Sequence, residues 1–456
     1  MKVVIVGGVA GGATAAARIR RLDEKAQIVV FERSGYISYA NCGLPYYIGD
    51  VITDAEELTL QSPESFYSRF RVDMRVHHEV TEIHPEKKTV SVKNLKTGEE
   101  FEESYDKLIL SPGAKPTQPR FSGADLDKVF TLRTVEDTLR IKNYINENHP
   151  KSAVLAGGGF IGLELAENLR ELGMDVTVVE YAKQLMSPFD SDMAAFIHNE
   201  MRKHGVKLVL GRAVVDIEEK DGGVKVLLKD DAPLHADMVV LAIGVTPDTS
   251  LAKEAGLELG IKGAIVVNDR METSVPDIYA AGDAVQVKNS VTGDDALISL
   301  AGPANKQGRI IADNICGLDS RYKGSQGSSV IKVFDMTAAL TGINERTAKT
   351  AGLNADTVIL SPMSHAGYYP GGKVMTVKVV FEKGTYRLLG AQIVGYDGVD
   401  KRIDVLATAI RAGLKATDLK DLDLAYAPPY SSAKDPVNMA GFMIDNIANG
   451  VLKQWH

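Results

Sequence analysis

Cysteine is nearly absent from this 456-residue sequence, which has only Cys42 and Cys316. A disulfide scaffold is thereby excluded, and free thiols suit a reducing compartment. Tryptophan occurs once and aromatic residues make up 6%, so aromatic anchors carry little of the packing. Positive charge is not in excess. Fifty-two Lys and Arg against 60 Asp and Glu give a net charge of −8, which argues against a nucleic-acid backbone as partner. No run is long and apolar enough to span a bilayer. Residues 3–17 begin like a signal peptide, but Gly7, Gly8, Gly11 and Gly12 interrupt the run and Arg18, Arg20 and Arg21 follow it. A strand, a glycine turn and a helix explain the stretch better. The expectation is a soluble, cytoplasmic protein with no membrane partner. Glycine, by contrast, is plentiful at 42 residues. Length and ordinary globular composition provide for about two to four domains, each with its own core.

The chain opens with Val3-Val4-Ile5-Val6, a β-branched run of the kind found in buried parallel strands. Gly7-Gly8-Val9-Ala10-Gly11-Gly12 follows, then helix-forming residues 13–22, then a strand over 27–31 that ends at Glu32. This is a βαβ dinucleotide unit. The turn glycines let the backbone approach a pyrophosphate, and the helix N-terminus aims its free N–H groups at it. Glu32 lies 20 residues after Gly12, the spacing at which a carboxylate grips a ribose hydroxyl. Val9 stands where the middle glycine of G-x-G-x-x-G is expected. The signature then recurs complete. Ala153-Val154-Leu155 leads into Gly157-Gly158-Gly159-Phe160-Ile161-Gly162, a helix over 163–172, and a strand over 175–179 ending at Glu180, 18 residues after Gly162. Each unit holds one dinucleotide, so two different ones are implied. Glu180 favours a free 2′-hydroxyl and hence NADH, while Lys183 keeps NADPH open.

Three further segments join the units: an apolar stretch over 105–110 ending in Ser111-Pro112-Gly113-Ala114, a strand over 237–243 ending in Gly244, and the small-residue strand before Gly282-Asp283. The last resembles the second FAD motif of two-dinucleotide flavoproteins, in which the Asp accepts a hydrogen bond from the ribityl chain. The fold class implied is α/β. Two Rossmann-like units form a split FAD-binding domain (1–118 and 248–322) with an NAD(P)H-binding domain (119–247) inserted. Gly324-Ser325-Gln326-Gly327-Ser328-Ser329 reads as a linker. Beyond it, strands over 329–334, 374–381 and 390–394 mix with helices over 400–412 and 438–449. This makes an α+β C-terminal domain (323–456) large enough for dimerisation. Cofactor contacts are expected from Gly7, Gly8, Ala10, Gly11, Gly12 and Glu32; from Gly157, Gly159, Phe160, Ile161, Gly162 and Glu180; and from Ser111, Pro112, Gly113, Gly244, Gly282 and Asp283.

Cys42 is the most informative single residue. It sits in Ser38-Tyr39-Ala40-Asn41-Cys42-Gly43-Leu44-Pro45-Tyr46-Tyr47, just after the first βαβ unit. Free cysteines usually end up buried and inert, which is the reading for Cys316. Around Cys42 the small, polar flanks argue for access. A helix beginning just after it would lower its pKa and favour the thiolate. Position 47 is Tyr, so there is no C-x4-C dithiol, and the reaction partner must be a small thiol, an oxygen atom or nothing.

These residues resemble the single-cysteine branch of the FAD-dependent pyridine nucleotide–disulfide oxidoreductases. The sequence is most similar to the coenzyme A–disulfide reductases and their persulfide or polysulfide reductase relatives. The most specific pieces are Asn41-Cys42-Gly43-Leu44-Pro45-Tyr46, Tyr368-Tyr369-Pro370-Gly371, Gly398-Val399-Asp400-Lys401-Arg402-Ile403-Asp404 and Tyr426-Ala427-Pro428-Pro429-Tyr430-Ser431. Even Val9 agrees with the first glycine turn of that family. The resemblance implies that Cys42 forms a mixed disulfide with coenzyme A and takes electrons from FAD, which NADH reduces. It also implies that Tyr368 and Tyr426 reach in from the other subunit of a homodimer to stabilise thiolates and supply a proton. Thr14, Arg18, Arg21, Ser38, Asn41 and Lys434 match positions that hold coenzyme A. The chemistry agrees, since Arg18 and Arg21 share one helix face and two guanidiniums suit a 3′-phosphate-ADP group. A family position that can carry histidine is Asn305 here.

Rival readings remain. An NADH peroxidase or oxidase would cycle Cys42 through a sulfenic acid. Such relatives carry a His in the first glycine turn, where this sequence has Val9-Ala10. A non-enzymatic redox-sensor flavoprotein is the alternative from another class. His77, His78, His204 and His365 show no metal-ligand spacing and read as surface or core residues. Glu164 and Glu167 read as solvated or helix-pairing residues, Glu164 also lying within reach of a nicotinamide. The sequence stops at Lys453-Gln454-Trp455-His456, about where some family members continue into a rhodanese sulfur-transfer domain.

Overall fold

The computed structural model describes residues 1–119 and 121–452, so Lys453-Gln454-Trp455-His456 lie outside the described residues. In chain order the helices are α1 (Ala10–Leu22), α2 (Leu44–Ile48), α3 (Pro63–Phe70), α4 (Val135–Asn148), α5 (Phe160–Glu171), α6 (Ser191–Lys203), α7 (Ser250–Glu254), α8 (Ala301–Ile315), α9 (Glu345–Thr350), α10 (Val399–Ala412) and α11 (Pro436–Ala448).

Two five-stranded parallel sheets repeat one topology. In the first, Lys2–Val6 is flanked by Gln27–Glu32 and Lys107–Leu110, with Asp73–Val76 and Ile278–Ala280 at the edges. In the second, Ser152–Ala156 takes the central place, between Asp175–Glu180 and Met238–Leu241. The central strands are buried on both faces, as their continuous Val/Ile/Leu runs require. The edge strand Ile278–Ala280 belongs to the first sheet although the second sheet precedes it in sequence. A short antiparallel ladder between Ala114–Pro116 and Val245–Pro247 marks where the chain leaves the first unit and returns.

Both glycine turns have the same construction. Gly7 and Gly157 adopt φ of 98° and 116°, open to glycine but strained for other residues. Each closes its strand onto the next through a hydrogen bond to Phe31 or Val179. Gly12 and Gly162 let the helix lie on the turn, since a Cβ there would stand 1.9 Å from Gly7 O and 2.0 Å from Gly157 O. Gly159, at φ −87°, has nothing within 4 Å of its Cβ position. The corresponding Val9 (φ −104°) is therefore no distortion of the turn.

The third sheet is antiparallel, in the order Ser329–Val333, Met336–Gly342, Leu388–Gly395, Met375–Glu382, Ala355–Leu360, with α10 and α11 packed on it. The fold is thus the expected α/β pair of Rossmann-like units with an α+β C-terminal domain. The linker expectation needs correcting. Residues 324–329 are tied down: Gln326 Nε2 donates to Thr341 and to Ala407 O, and Ser325 N donates to Lys288 O. Among the described residues no helix is long and apolar enough to cross a membrane.

Candidate active site

The first nucleotide cleft lies at the carboxyl ends of the first sheet, where ligands of open α/β sheets bind. Its walls include Val6, Gly7, Glu32, Pro112 and Asp248. Glu32 is buried and accepts from Gly8 N and Ser34 N, each at 2.9 Å; burial pushes its carboxyl up, against those two bonds. Ser111 and Ala281 close on the turn, and a Cβ on Gly11 would meet Ser111 Oγ at 2.6 Å. A backbone cradle with no room for a side chain fits a pyrophosphate of FAD. Asp283 is already engaged: Arg133 Nη2 donates to it at 2.7 Å while Arg133 Nε holds Ala114 O. Sequence reasoning missed Arg133, which follows the edge strand Val129–Thr131 of the second sheet. In the second unit Glu180 accepts from Gly158 N at 2.6 Å and Ala182 N at 2.7 Å, repeating the Glu32 arrangement and fitting NADH. Tyr181 beside it is exposed.

Cys42 is exposed, in a single 3-10 turn (Asn41–Gly43) leading into α2. The far end of α2 is anchored by buried Lys142, which donates to Ile48 O at 3.0 Å and pairs with Asp50 at 2.7 Å. The expected low thiol pKa is not found. Burial, then Glu164 and Asp283, push the Cys42 thiol up, and Arg133 opposes them. Withdrawal of the sulfur from water, the largest cause, acts with the two carboxylates to outweigh one short helical turn.

Glu164 is half-buried rather than solvated, and burial with the nearby Glu167 charge pushes it up to about 7. Tyr46 faces it and is pushed up to about 12 by burial and these same carboxylates. Glu167 is likewise no surface residue: it is buried, pairs with Lys332 and accepts from Phe334 N at 2.7 Å. Cys316, expected buried, is half-buried at the end of α8. His204 stacks on Phe334 at 4.1 Å. With Glu200, one helix turn before it, and the sequence-distant Asp335 it forms a group whose ligand atoms lie within 4.8 Å.

A second cleft, of about 460 Å³, brings together Thr14, Arg18, Arg21 and Ser38 with Asn305. Thr14 Oγ1 donates to Asn305 at 2.8 Å. Arg69, Lys306 and Arg309 also line the cleft, which the sequence reading had not found. Arg21 and Arg69 both stand over the Phe70 ring, at 5.5 and 5.1 Å, a cation–π arrangement that orders both forks. Arg18 is partly committed to Asp313 at 2.8 Å. Asn41 and Lys434 do not line this cleft. Asn41 belongs to the Cys42 turn, and Lys434 lies in the C-terminal domain just before α11. Tyr368 and Tyr426 are exposed on two loops of that domain, and their hydroxyls meet at 2.6 Å.

With this geometry in hand, known proteins place the chain. Residues 1–308 match the pyridine nucleotide-disulphide oxidoreductase family and residues 328–436 its dimerisation domain, a domain that points to a homodimer. A Staphylococcus aureus coenzyme A disulfide reductase is 38% identical over 442 residues, covering 97% of this chain and 99% of that protein. The structure of reduced Bacillus anthracis CoADR-RHD superposes with a TM-score of 0.98 at 52% identity, covering 100% of this chain and 82% of that one. An NAD-dependent persulfide reductase from A. fulgidus gives 0.96 at 40%, covering 99% and 84%. A water-forming NADH oxidase from Lactobacillus brevis gives 0.94 at 31%, covering 99% and 100%. The chain belongs to the pyridine nucleotide–disulphide oxidoreductases, enzymes that pair FAD with a nicotinamide cofactor.

Proposed function

We propose that this enzyme uses NADH to reduce a disulfide or persulfide of coenzyme A, or a polysulfide, through Cys42. The observation that carries the reading is the cation-lined cleft of Thr14, Arg18, Arg21 and Ser38, four residues from an exposed cysteine. Four guanidiniums and one ammonium lining one cleft suit a phosphorylated thiol. FAD, when bound in the first cradle, supplies two-electron transfer between nicotinamide and sulfur. The residues do the rest. The Cys42 thiolate attacks the substrate S–S bond, forming a mixed disulfide with one half and releasing the other as a thiolate. Tyr368 and Tyr426, from the partner subunit, hold that thiolate and give it a proton. Asn41 and Lys434 contact coenzyme A from either side of the shared site. Residues 1–118 and 248–322 form the flavin unit, 119–247 the pyridine-nucleotide unit and 323–456 the dimer unit, an arrangement the 114–116/245–247 ladder supports. A rhodanese that hands over sulfane sulfur fits the persulfide arm, and two free cysteines fit a cytoplasmic setting.

The test is NADH consumption without oxygen, by wild type and Cys42→Ser, offered CoA disulfide, CoA persulfide, polysulfide or hydrogen peroxide. Turnover with a CoA or sulfane-sulfur substrate, lost in Cys42→Ser, is expected. Turnover with peroxide alone would assign Cys42 to a sulfenic-acid cycle instead.

A further inference from the structure

Arg402 is 1% exposed, so its charge needs a full set of partners. Asp435 supplies the countercharge, accepting from Nε at 3.2 Å and Nη2 at 3.1 Å. Every other partner belongs to a loop. Nη2 donates to Ser364 O at 2.9 Å, to Tyr430 O at 3.1 Å and to Ser431 Oγ at 3.2 Å, and Nη1 donates to Gly398 O at 3.1 Å. Ser431 Oγ in turn donates to Asp435 at 2.6 Å. Gly398 is held at φ 65°, where a Cβ would stand 2.0 Å from Arg402 Nη1, so the loop before α10 is shaped around this side chain.

The loops clamped this way are the ones that matter. Ser364 lies four residues before Tyr368, and Tyr430 four residues after Tyr426. Ala366 N donates to Ser431 O at 3.0 Å, and Tyr430 N and Ser431 N both return to Ala427 O, next to Tyr426. Asp435 follows Lys434 directly and caps α11 through Val437 N. One guanidinium thus bridges both tyrosine loops and the start of α11, while the tyrosine side chains themselves stand exposed, their hydroxyls meeting at 2.6 Å.

We propose that Arg402, neutralised by Asp435, is the positioning residue that holds the two loops in register, so that the Tyr368 and Tyr426 hydroxyls meet. The inference rests on the reading of those tyrosines as proton donors, yet its geometric part can be tested without it. A lysine cannot reproduce the planar fork, so Arg402→Lys keeps the charge and releases the Ser364 and Tyr430 carbonyls.

The experiment follows the Tyr426 phenol by NMR of ring-labelled tyrosine in the dimeric holoenzyme, across pH, in wild type, Tyr368→Phe and Arg402→Lys. Steady-state turnover is measured on the same samples and on Tyr426→Phe. In wild type the bond to Tyr368 pushes the Tyr426 phenol up; Tyr368→Phe should bring its titration down. The expected result is that Arg402→Lys brings it down similarly, with turnover falling about tenfold and the KM for NADH unchanged. If the Tyr426 titration in Arg402→Lys matches wild type, the proposal is overturned. If it moves while Tyr426→Phe turns over like wild type, the positioning stands and the catalytic reading of the tyrosines falls. Should Arg402→Lys not fold, Ser431→Ala removes one arm of the same hub and is read in the same way, with a smaller shift.

Discussion

Glu164 helps set the charge of Cys42. Burial and Glu167 hold Glu164 at about 7, so near neutral pH its carboxyl is divided between two forms, and its charged form raises the Cys42 thiol. Glu164→Gln removes that negative charge, so alkylation of Cys42 by iodoacetamide, followed in a Cys316→Ser background, should reach its half-maximal rate at lower pH. An identical profile would mean that burial alone governs the thiol. The same residue has a stability signature. Its folded value lies above the ordinary 4.5, so the fold favours the neutral acid. No penalty exists below pH 4.5. It grows as pH rises from 4.5 to about 7 and is complete above that. Glu164→Gln should therefore raise the melting temperature at pH 8 and leave it unchanged at pH 4, with a ceiling on the order of 3 kcal/mol.

At the scale of the element, different glycines of the same turn construction make opposite demands. Gly12→Ala places a methyl group on Gly7 O, and nothing flexible can yield. Such overpacking costs about 1–3 kcal/mol or more and should release flavin on mild heating. Gly159→Ala meets open space, so its melting temperature should match wild type while the KM for NADH rises, because the methyl group stands over the turn that receives the pyrophosphate. Equal loss of stability in both variants would refute this account of the turns. These turns were legible because the chemistry lies within one βαβ unit, where spacing alone fixes geometry. That Arg18 and Arg21 share a helix face was legible from spacing, but their reading as a coenzyme A site came from the family resemblance. What the sequence hid is long-range. Arg133 reaches Asp283 across 150 positions, and Glu167 finds Lys332 in another domain. The 324–329 segment misled because Gly and Ser report turn chemistry locally, whereas its anchoring to Thr341 and Ala407 exists only once the C-terminal sheet is built. The Cys42 thiol misled because the helix start is local but the opposing carboxylates arrive from elsewhere.

At the scale of the whole molecule, the C-terminal domain is seated firmly on the second nucleotide unit of its own chain. Buried Lys378 meets Asp190 at 3.1 Å, Asp192 at 2.8 Å and Glu345 at 2.6 Å; Gln392 brackets Asp190 through both its amide atoms; Tyr396 donates to Glu200. Breaking such a buried cluster at one member is strongly unfavourable, so strands Met375–Glu382 and Leu388–Gly395 are held against that unit. Tyr368 and Tyr426 are exposed and so presented outward. If each site takes Cys42 from one chain and the tyrosines from the other, subunit mixing must rescue activity. Cys42→Ser protein, inactive alone, and Tyr426→Phe protein, weakly active alone, are denatured together and refolded at equal amounts. Half of the resulting dimers are hybrids, and each hybrid contains one site with both defects and one with neither, because in a two-fold dimer the two sites are related by exchange of chains. The mixture should recover about a quarter of wild-type turnover. If every site were built within one chain, each would keep its defect whatever its partner, and mixing would return only the average of the two parents.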